Sequence, residues 1–324
     1  MTPARDAIVA TAGESIARGS KSFAAASRLF DRATRERAWL LYAWCRACDD
    51  LADGQDHGHA MATIADPAER LEAIRERTAA ALEGRWVGDP AFDALRIVAA
   101  ETTMPHGLVR DVVEGFALDA AGWAPATEAD LIRYCYHVAG AVGCMMAVVM
   151  GIAPDDEERL DRACELGIAF QLANIARDIG EDAAAGRCYL PADWLADAGI
   201  ARDVVMADRT ALAGLAQRLT RRAGEYEARA RLGAAALPFR SAWAVLAAAG
   251  IYGDIARRVE ALGESAWDAR VTVPAGAKLL WIVRAFGQAW SRKRRAADPN
   301  FATEIWSRPR QPKAKAHPKQ AGAR

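Results

Sequence analysis

Apolar residues recur every three to four positions along most of the chain, and the alternation typical of β-strands is nearly absent. Apolar positions at this spacing share one face of an α-helix, so the pattern predicts an all-α protein. Glycines, prolines and capping residues separate the helical segments. The expected helices cover residues 2–18, 34–52, 67–83, 90–103, 105–118, 134–150, 155–185, 193–198, 209–232, 240–260 and 278–293.

The most informative helical segment runs from Gln171 to Asp182. Residues four apart lie one turn on and about 40° round a helix. Asn174, Asp178 and Asp182 therefore form one polar line, with Gln171 a turn above, while the other faces are mostly apolar. Buried carboxylates are costly unless a partner pairs with them. The pattern indicates either a cation site or a solvated acidic face.

A second acidic pair favours the cation site. Asp49 and Asp53 are also four apart in an apolar helical segment, and Arg46 lies three residues before Asp49. Mg²⁺ typically binds one or two carboxylates together with substrate phosphates, so two facing pairs suit Mg²⁺ (Mn²⁺ being the second choice) bridging to a diphosphate. Arg46 and Arg177 can donate to phosphate oxygens. The helix break at residues 19–22, with Ser20 and Ser22, also suits an anion.

A departing diphosphate leaves a carbocation, which needs a dry apolar cavity. The helix around residues 138–153 is rich in Gly, Ala, Val and Met and is predicted to line that cavity. Because residues 134–153 carry no formal charge, a membrane span is the alternative. Four aromatic residues could stabilise a cation or simply pack in the core: Tyr134, Tyr136, Phe170 and Tyr252.

Charge and composition argue against several classes of function. The chain has 324 residues, 52% of them apolar, with 42 basic and 42 acidic side chains. Six of the basic residues and no acidic one fall in residues 308–324, so a catalytic domain is expected over residues 1–306 and a disordered basic tail over 307–324. No basic stripe interleaved with aromatics suggests nucleic-acid binding. No Gly-rich dinucleotide motif is visible, so no nicotinamide cofactor is expected.

The cysteines and the N-terminus indicate the cellular compartment in which the protein is expected. Six cysteines are scattered along the chain, mostly in apolar segments, which is typical of a reducing cytosol. Cys45 and Cys48 form one C-x-x-C, which would be a redox or zinc motif only with suitable partners, and none is suitably spaced. Charged residues interrupt the N-terminus before a signal sequence could form. We expect a cytoplasmic protein, with a peripheral position at the inner face of the membrane as a further expectation.

The motifs together resemble the squalene/phytoene synthase family, and within it the bacterial phytoene synthases. The resemblance extends from about residue 19 to 306 and is specific because many motifs occur together. They are Gly-Ser-Lys-Ser-Phe at 19–23, Leu-Tyr-Ala-Trp-Cys-Arg at 41–46, Asp-Asp-Leu-Ala-Asp at 49–53, Tyr-Cys-Tyr-His-Val-Ala-Gly at 134–140, Asn-Ile-Ala-Arg-Asp-Ile-Gly-Glu-Asp at 174–182 and Gly-Arg-Cys-Tyr-Leu-Pro at 186–191.

The resemblance implies an isoprenoid synthase fold, one helical domain around a central apolar cavity. It implies head-to-head condensation of two geranylgeranyl diphosphates through prephytoene diphosphate to phytoene, the first committed step of carotenoid biosynthesis. The four motif aspartates would hold Mg²⁺ with help from Asn174 and Gln171. Diphosphate contacts would come from Ser20, Ser22, Arg46 and Arg177. The resemblance also adds Tyr134, Tyr189, Tyr252 and Arg270 to the cavity or the phosphate side.

Three alternatives remain at this stage. A C30 enzyme that makes squalene or dehydrosqualene from farnesyl diphosphate would share the motifs and differ in the depth of its cavity. A class I terpene cyclase or a chain-elongating prenyltransferase would share the metal ligands but not the segments flanking them. A non-catalytic scaffold on this fold would be expected to have lost the aspartates, and all four are present.

Overall fold

The computed structural model describes residues 4–53, 66–294 and 306–310, except for the side chain of Asp53. Within these ranges the chain forms helices and turns and contains no strand, which confirms the all-α prediction. The thirteen α-helices of this part are α1 Arg5–Gly19, α2 Lys21–Ser27, α3 Arg32–Asp53, α4 Pro67–Leu82, α5 Pro90–Glu101, α6 His106–Ala120, α7 Glu128–Cys135, α8 Ala141–Val149, α9 Glu157–Ala184, α10 Ala192–Asp197, α11 Arg209–Gly233, α12 Phe239–Leu262 and α13 Ala275–Trp290.

Local sequence signals account for where several helices begin and end. The Thr127 side chain and Asp130 form a reciprocal capping box at the start of α7. The Asp89 side chain accepts a hydrogen bond from the backbone N–H of Ala91, and Pro90 opens α5. Past the end of α9, Gly186 has a φ of 73°, a left-handed conformation that costs glycine little.

Helix α9 lies at the centre of the domain, packed against α7, α8, α11 and α12. Its apolar residues are buried on most sides, among them Leu172, Ile175 and Ile179. The polar line of Asn174, Asp178 and Asp182 is half-buried. The fold therefore places a helix with carboxylates inside a helical bundle, where solvation of these carboxylates by water is restricted.

A single turn of π-helix, Tyr136–Gly140, joins α7 and α8 into one continuous helical run. Such turns inside α-helices frequently occur at functional sites. The run crosses α9 with almost no space between the two backbones. A Cβ atom on Gly167 would lie 2.2 Å from the carbonyl oxygen of Ala139, and one on Gly143 would lie 2.3 Å from that of Ala163. Glycine is therefore required where these helices cross.

Among the described helices, one run, Glu128–Val149, is long and apolar enough to cross a membrane. Its most apolar window is 61% buried inside the protein, as the helix lining a cavity would be. The cysteines of the described part are free. Burial raises the pKa of the Cys45 thiol to about 12 and that of the Cys48 thiol well above its usual value, so both are protonated at neutral pH.

The C-terminal residues 306–310 lie against the first turns of α9. The Arg308 guanidinium is buried and donates to Glu157 and, at 2.8 Å, to Asp161. Arg310 donates to Asp161 at 2.6 Å and to Glu157 at 2.9 Å. Residues 54–65 and the remainder of the predicted tail lie outside the described residues.

Candidate active site

The polar line singled out on α9 and Asp49 of α3 line one cavity of about 290 Å³. Asp49 enters it from α3, at the end of the helix that carries Arg46. From α9 come the four members of the polar line, Gln171, Asn174, Asp178 and Asp182. The side chain of Asp53 lies outside the described residues. The two motif helices thus face each other across a polar space, as two walls of one site would.

The α9 wall holds a buried acceptor without a hydrogen bond and a carboxylate that is costly to ionise. Asn174 Oδ1 is buried and accepts no hydrogen bond. Burial raises the pKa of Asp182 to about 6; Arg187 opposes this rise and the nearby Asp178 adds to it. A buried acceptor beside a carboxylate that is costly to ionise is what a cation would stabilise.

Arginine side chains hold the carboxylates of both walls. Arg177 Nε donates to Asp178 Oδ1 at 2.7 Å, and its Nη2 donates to the other oxygen, a bidentate pair. Arg270 Nη2 lies 3.3 Å from Asp178 Oδ1 and also binds Glu181. On α3, Arg46 pairs with Asp50 at 2.5 Å and with Asp49 at 3.5 Å.

Tyr134, Tyr189 and Asp119 form the opposite side of the polar cavity. Asp119 was not among the residues predicted from the sequence. The hydroxyls of Tyr134 and Tyr189 both donate to Asp119 Oδ1 at 3.0 Å, and the two rings stack with centroids 4.9 Å apart. Trp123 continues the stack, 5.4 Å from Tyr134. Asp119 follows the apolar part of α6, and its position three residues before a Gly-Trp turn gave no sign of this role.

The polar cavity adjoins a larger apolar one of about 510 Å³. Asp49, Gln171 and Asn174 line both cavities, so the polar and the apolar space meet at these residues. Helix α8 and the π-turn supply part of the apolar wall, including Val138, Val142 and Met146. Helices α1, α2, α3, α6, α7, α9, α11 and α12 supply most of the rest.

Three stacked aromatic rings stand along the apolar cavity. Tyr252 of α12 lies between Phe170 of α9 and Phe23 of α2, with centroid distances of 4.2 and 5.2 Å. All three line the cavity, whereas Tyr136, which was also considered, lies outside its lining and donates to Asp111 at 2.5 Å. The ring faces of Phe23, Phe170 and Tyr252 suit a positive charge within the cavity.

Four of the predicted diphosphate residues line neither cavity: Ser20, Ser22, Arg177 and Arg270. The Ser20 side chain caps α2 by accepting a hydrogen bond from the backbone N–H of Phe23 at 3.2 Å. Arg177 and Arg270 contact Asp178, so in this structure they hold the carboxylate of the site. Arg46, by contrast, lines the apolar cavity next to Asp49.

Comparison with known proteins bears directly on this arrangement. The squalene/phytoene synthase family model matches residues 16–277, which include both motif helices and nearly all of the cavity lining. The chain belongs to the squalene/phytoene synthase family. Within this family it is 46% identical over 302 residues to the phytoene synthase of Pseudescherichia vulneris, covering 92% of this chain and 97% of that one. It is 45% identical to the 15-cis-phytoene synthase of Pantoea ananas, covering 91% and 96%.

Solved structures of family members share the fold. A dehydrosqualene synthase crystallised with a ligand superposes with a TM-score of 0.78 at 28% identity, covering 89% of this chain and 98% of that one. The squalene synthase of Alicyclobacillus acidocaldarius superposes with a TM-score of 0.70 at 23% identity, covering 80% and 95%. These matches confirm the predicted isoprenoid synthase fold.

The donors in the polar cavity fit a hard divalent cation. Among the described side chains, no three His, Cys, Asp or Glu residues are close enough together to form a metal cluster by themselves. Mg²⁺ does not require such a cage, because it keeps waters and takes phosphate oxygens alongside one or two carboxylates. Asp49, Asp178, Asp182 and the unpaired Oδ1 of Asn174 supply oxygen donors on both walls of the cavity.

We expect Asp119→Asn to lower kcat by about 10- to 100-fold without unfolding the protein, because Asp119 positions both Tyr134 and Tyr189. Tyr134→Phe should lower kcat as well, and the double variant should lose much less than the product of the two effects. Steady-state kinetics on the three variants measure this coupling.

A matched control exists between the same two helical segments. Asp111→Asn weakens an equivalent contact, from the Tyr136 hydroxyl, at a place that lines neither cavity. It should change kcat by no more than a few-fold. Fully multiplicative effects of Asp119→Asn and Tyr134→Phe would contradict the positioning role of Asp119.

Proposed function

We propose that this protein is a phytoene synthase, which joins two molecules of geranylgeranyl diphosphate head to head through prephytoene diphosphate. Each of the two steps releases one diphosphate and one proton, so the overall reaction needs no reductant. Relatives between 42 and 46% identical over most of the chain are phytoene synthases. The observation that carries the proposal is the junction of the two cavities, where Asp49, Gln171 and Asn174 line both the polar end and the apolar interior.

The polar end is suited to hold the diphosphates. We assign Asp49, Asn174, Asp178 and Asp182 as the ligands of Mg²⁺, with Asp53 as a further candidate. When bound, Mg²⁺ would neutralise the charge that develops on a departing diphosphate. Arg46 is placed to donate to phosphate oxygens beside Asp49. Arg177 and Arg270 orient the Asp178 carboxylate through their contacts with it.

The apolar interior is suited to the prenyl chains and to the carbocation. Side chains of Val138 and Val142 carry no nucleophile that could trap a cation, and their apolar surface, together with that of Met146, excludes water. The stacked rings of Phe170 and Tyr252 offer their faces to positive charge at the same cavity. The fold therefore separates charge neutralisation at one end of the site from cation rearrangement at the other.

A C30 synthase is the second candidate, since a dehydrosqualene synthase superposes on most of the chain at 28% identity. Both reactions would use the same polar end. They differ in the length of prenyl chain that the apolar cavity accommodates. The phytoene synthases are more similar in sequence, which favours the C40 reaction. A class I terpene cyclase would use one substrate molecule and release a cyclic product.

Product analysis tests the proposal. The purified protein would be given geranylgeranyl diphosphate or farnesyl diphosphate with Mg²⁺, and the extracted hydrocarbon would be identified by mass spectrometry. We expect phytoene from the first substrate and at least about tenfold less C30 product from the second. Chelation by EDTA should abolish turnover, and Mg²⁺ or Mn²⁺ should restore it. A dominant C30 product or a cyclic diterpene would overturn the assignment.

We place the protein in the cytoplasm, where a reducing environment suits its free and buried thiols. A C40 hydrocarbon is insoluble in water, so the product must pass into a membrane. We therefore infer a peripheral position at the inner face of the membrane.

A further inference from the structure

Helix α13 presents an apolar stripe to solvent. Leu279, Val283, Phe286 and Trp290 follow one another at intervals of four, three and four residues, so they share one face of the helix. Their exposed fractions are 63%, 62%, 44% and 77%. The opposite face carries Ala285 and Ala289, both buried against the rest of the protein. Contiguous apolar patches of this kind mark binding surfaces.

The charged residues of α13 and of the turn that follows it are all basic. Residues 275–294 contain five basic residues and no acidic one: Lys278, Arg284, Arg292, Lys293 and Arg294. The Arg284 guanidinium lies on the flank of the helix, 5.3 Å from the ring of Trp281. Pairing this face with a second copy of itself would bring like charges together, whereas an anionic phospholipid surface would attract them.

The length and packing of α13 favour a helix that lies in the membrane surface. Its 16 residues span about 24 Å, less than the roughly 30 Å of a bilayer core. Its inner face is packed along α12, so the helix cannot turn to insert. Trp, Phe and Leu on one face with basic residues beside them are typical of interfacial helices. The apolar run Glu128–Val149 is largely buried and does not compete for this role.

The stripe lies behind one wall of the apolar cavity. Phe286 contacts the rings of Trp243 and Phe239 at centroid distances of 5.2 and 5.4 Å, and Trp243 Nε1 donates to the carbonyl of Ile282 at 2.8 Å. The residues that follow on α12, Ala244 and Val245, line the cavity. A surface docked on the stripe would therefore be separated from the hydrocarbon by little more than α12.

We propose that the α13 stripe docks onto the surface of a bilayer containing anionic phospholipids, with the helix lying parallel to the membrane. The choice of a bilayer as the partner rests on the proposed function, whose hydrocarbon product must reach a lipid phase. Apolar side chains of the stripe enter the interfacial region, while the exposed Lys293 and Arg294 contact lipid phosphates.

Vesicle co-sedimentation of the full-length protein tests this surface without using substrate. Vesicles of phosphatidylcholine with phosphatidylglycerol would be compared with vesicles of phosphatidylcholine alone. We expect Val283→Asp to weaken binding to the mixed vesicles by at least about tenfold, because it places a carboxylate in the apolar stripe. Trp290→Ser should weaken it several-fold. Each basic residue neutralised to Gln should cost about fivefold at low salt.

The matched control is Val204→Asp, the same change at an exposed valine of similar exposure, 52%, outside α13. It should bind as the unaltered protein does. Circular dichroism should show that Val283→Asp, Trp290→Ser and Val204→Asp are all folded. Each of these variants should retain turnover in detergent. Equal vesicle binding by Val283→Asp and the unaltered protein would overturn the proposal. So would a dimer that Val283→Asp converts to monomers while no form binds vesicles.

The proposed function can be wrong while the docking surface is right. If geranylgeranyl diphosphate gives no phytoene but the mixed vesicles bind through Val283, the docking surface stands and the reaction is wrong.

Discussion

Asp178→Asn is expected to lower turnover by about a thousandfold or more while the protein stays folded. The substitution removes one negative charge from the centre of the polar cavity, where Asp178 lies among the proposed cation ligands. The amide keeps the size of the side chain and one acceptor oxygen for Arg177. Asp178→Ala should lose as much activity and more stability, because it leaves the half-buried Arg177 guanidinium without its bidentate partner.

Turnover with geranylgeranyl diphosphate measures the loss, and Mg²⁺ titration shows whether cation binding is the cause. Excess Mg²⁺ should restore part of the activity if the variant binds the cation more weakly. Glu181→Gln is the matched control: it also removes a carboxylate from α9 that contacts Arg270, but it lines neither cavity. It should lose no more than a few-fold. Turnover that survives Asp178→Asn at the level of Glu181→Gln would refute the assignment of Asp178.

Gly167→Ala should destabilise the fold by about 3 kcal/mol or more, an unusually large effect for one added methyl group. The new Cβ would lie 2.2 Å from the carbonyl oxygen of Ala139 and 2.8 Å from the Cα of Gly140. These are backbone atoms of the π-turn, so no side chain can rotate away, and α9 would have to separate from the run that carries α7 and α8. Chemical denaturation would measure the change in the free energy of unfolding.

Gly214→Ala makes the same change inside α11, where nothing lies within 4 Å of the new Cβ. Because alanine favours a helix over glycine by about 1 kcal/mol, this variant should be as stable as the unaltered protein or slightly more stable. Equal stability of Gly167→Ala and Gly214→Ala would mean that the helices do not approach as closely as described.

The all-α fold and the pairing of α3 with α9 could be predicted because both have local signatures. The spacing of apolar residues gives the helices, and residues four apart on α9 share a face whatever surrounds them. The apolar helix at 138–153 was likewise recognisable as a cavity wall from its composition. Local periodicity determines these features, so one sequence contains enough information to find them.

Asp119 and the aromatic stack of Phe23, Phe170 and Tyr252 illustrate what could not be predicted. Asp119 acts with Tyr189, which is distant in the sequence, and only the packing of helices brings the two together. The contact of Arg177 was not predicted either, because its guanidinium binds the carboxylate of its neighbour Asp178. The phosphate contact suggested for Arg177 stays a prediction. The π-turn depends on how α7 and α8 pack against α9, and no residue of the segment predicts it.

The contacts at the two ends of α9 affect how the enzyme matures during synthesis. Arg308 and Arg310 hold the first turns of α9 through Glu157 and Asp161, and Arg270 holds the last turns through Asp178 and Glu181. These three arginines are made long after α9 itself. A nascent chain that has just released α9 from the ribosome therefore lacks the cations that fix both ends of this helix. The ion pairs at both ends of α9 can form only after these later residues have been made.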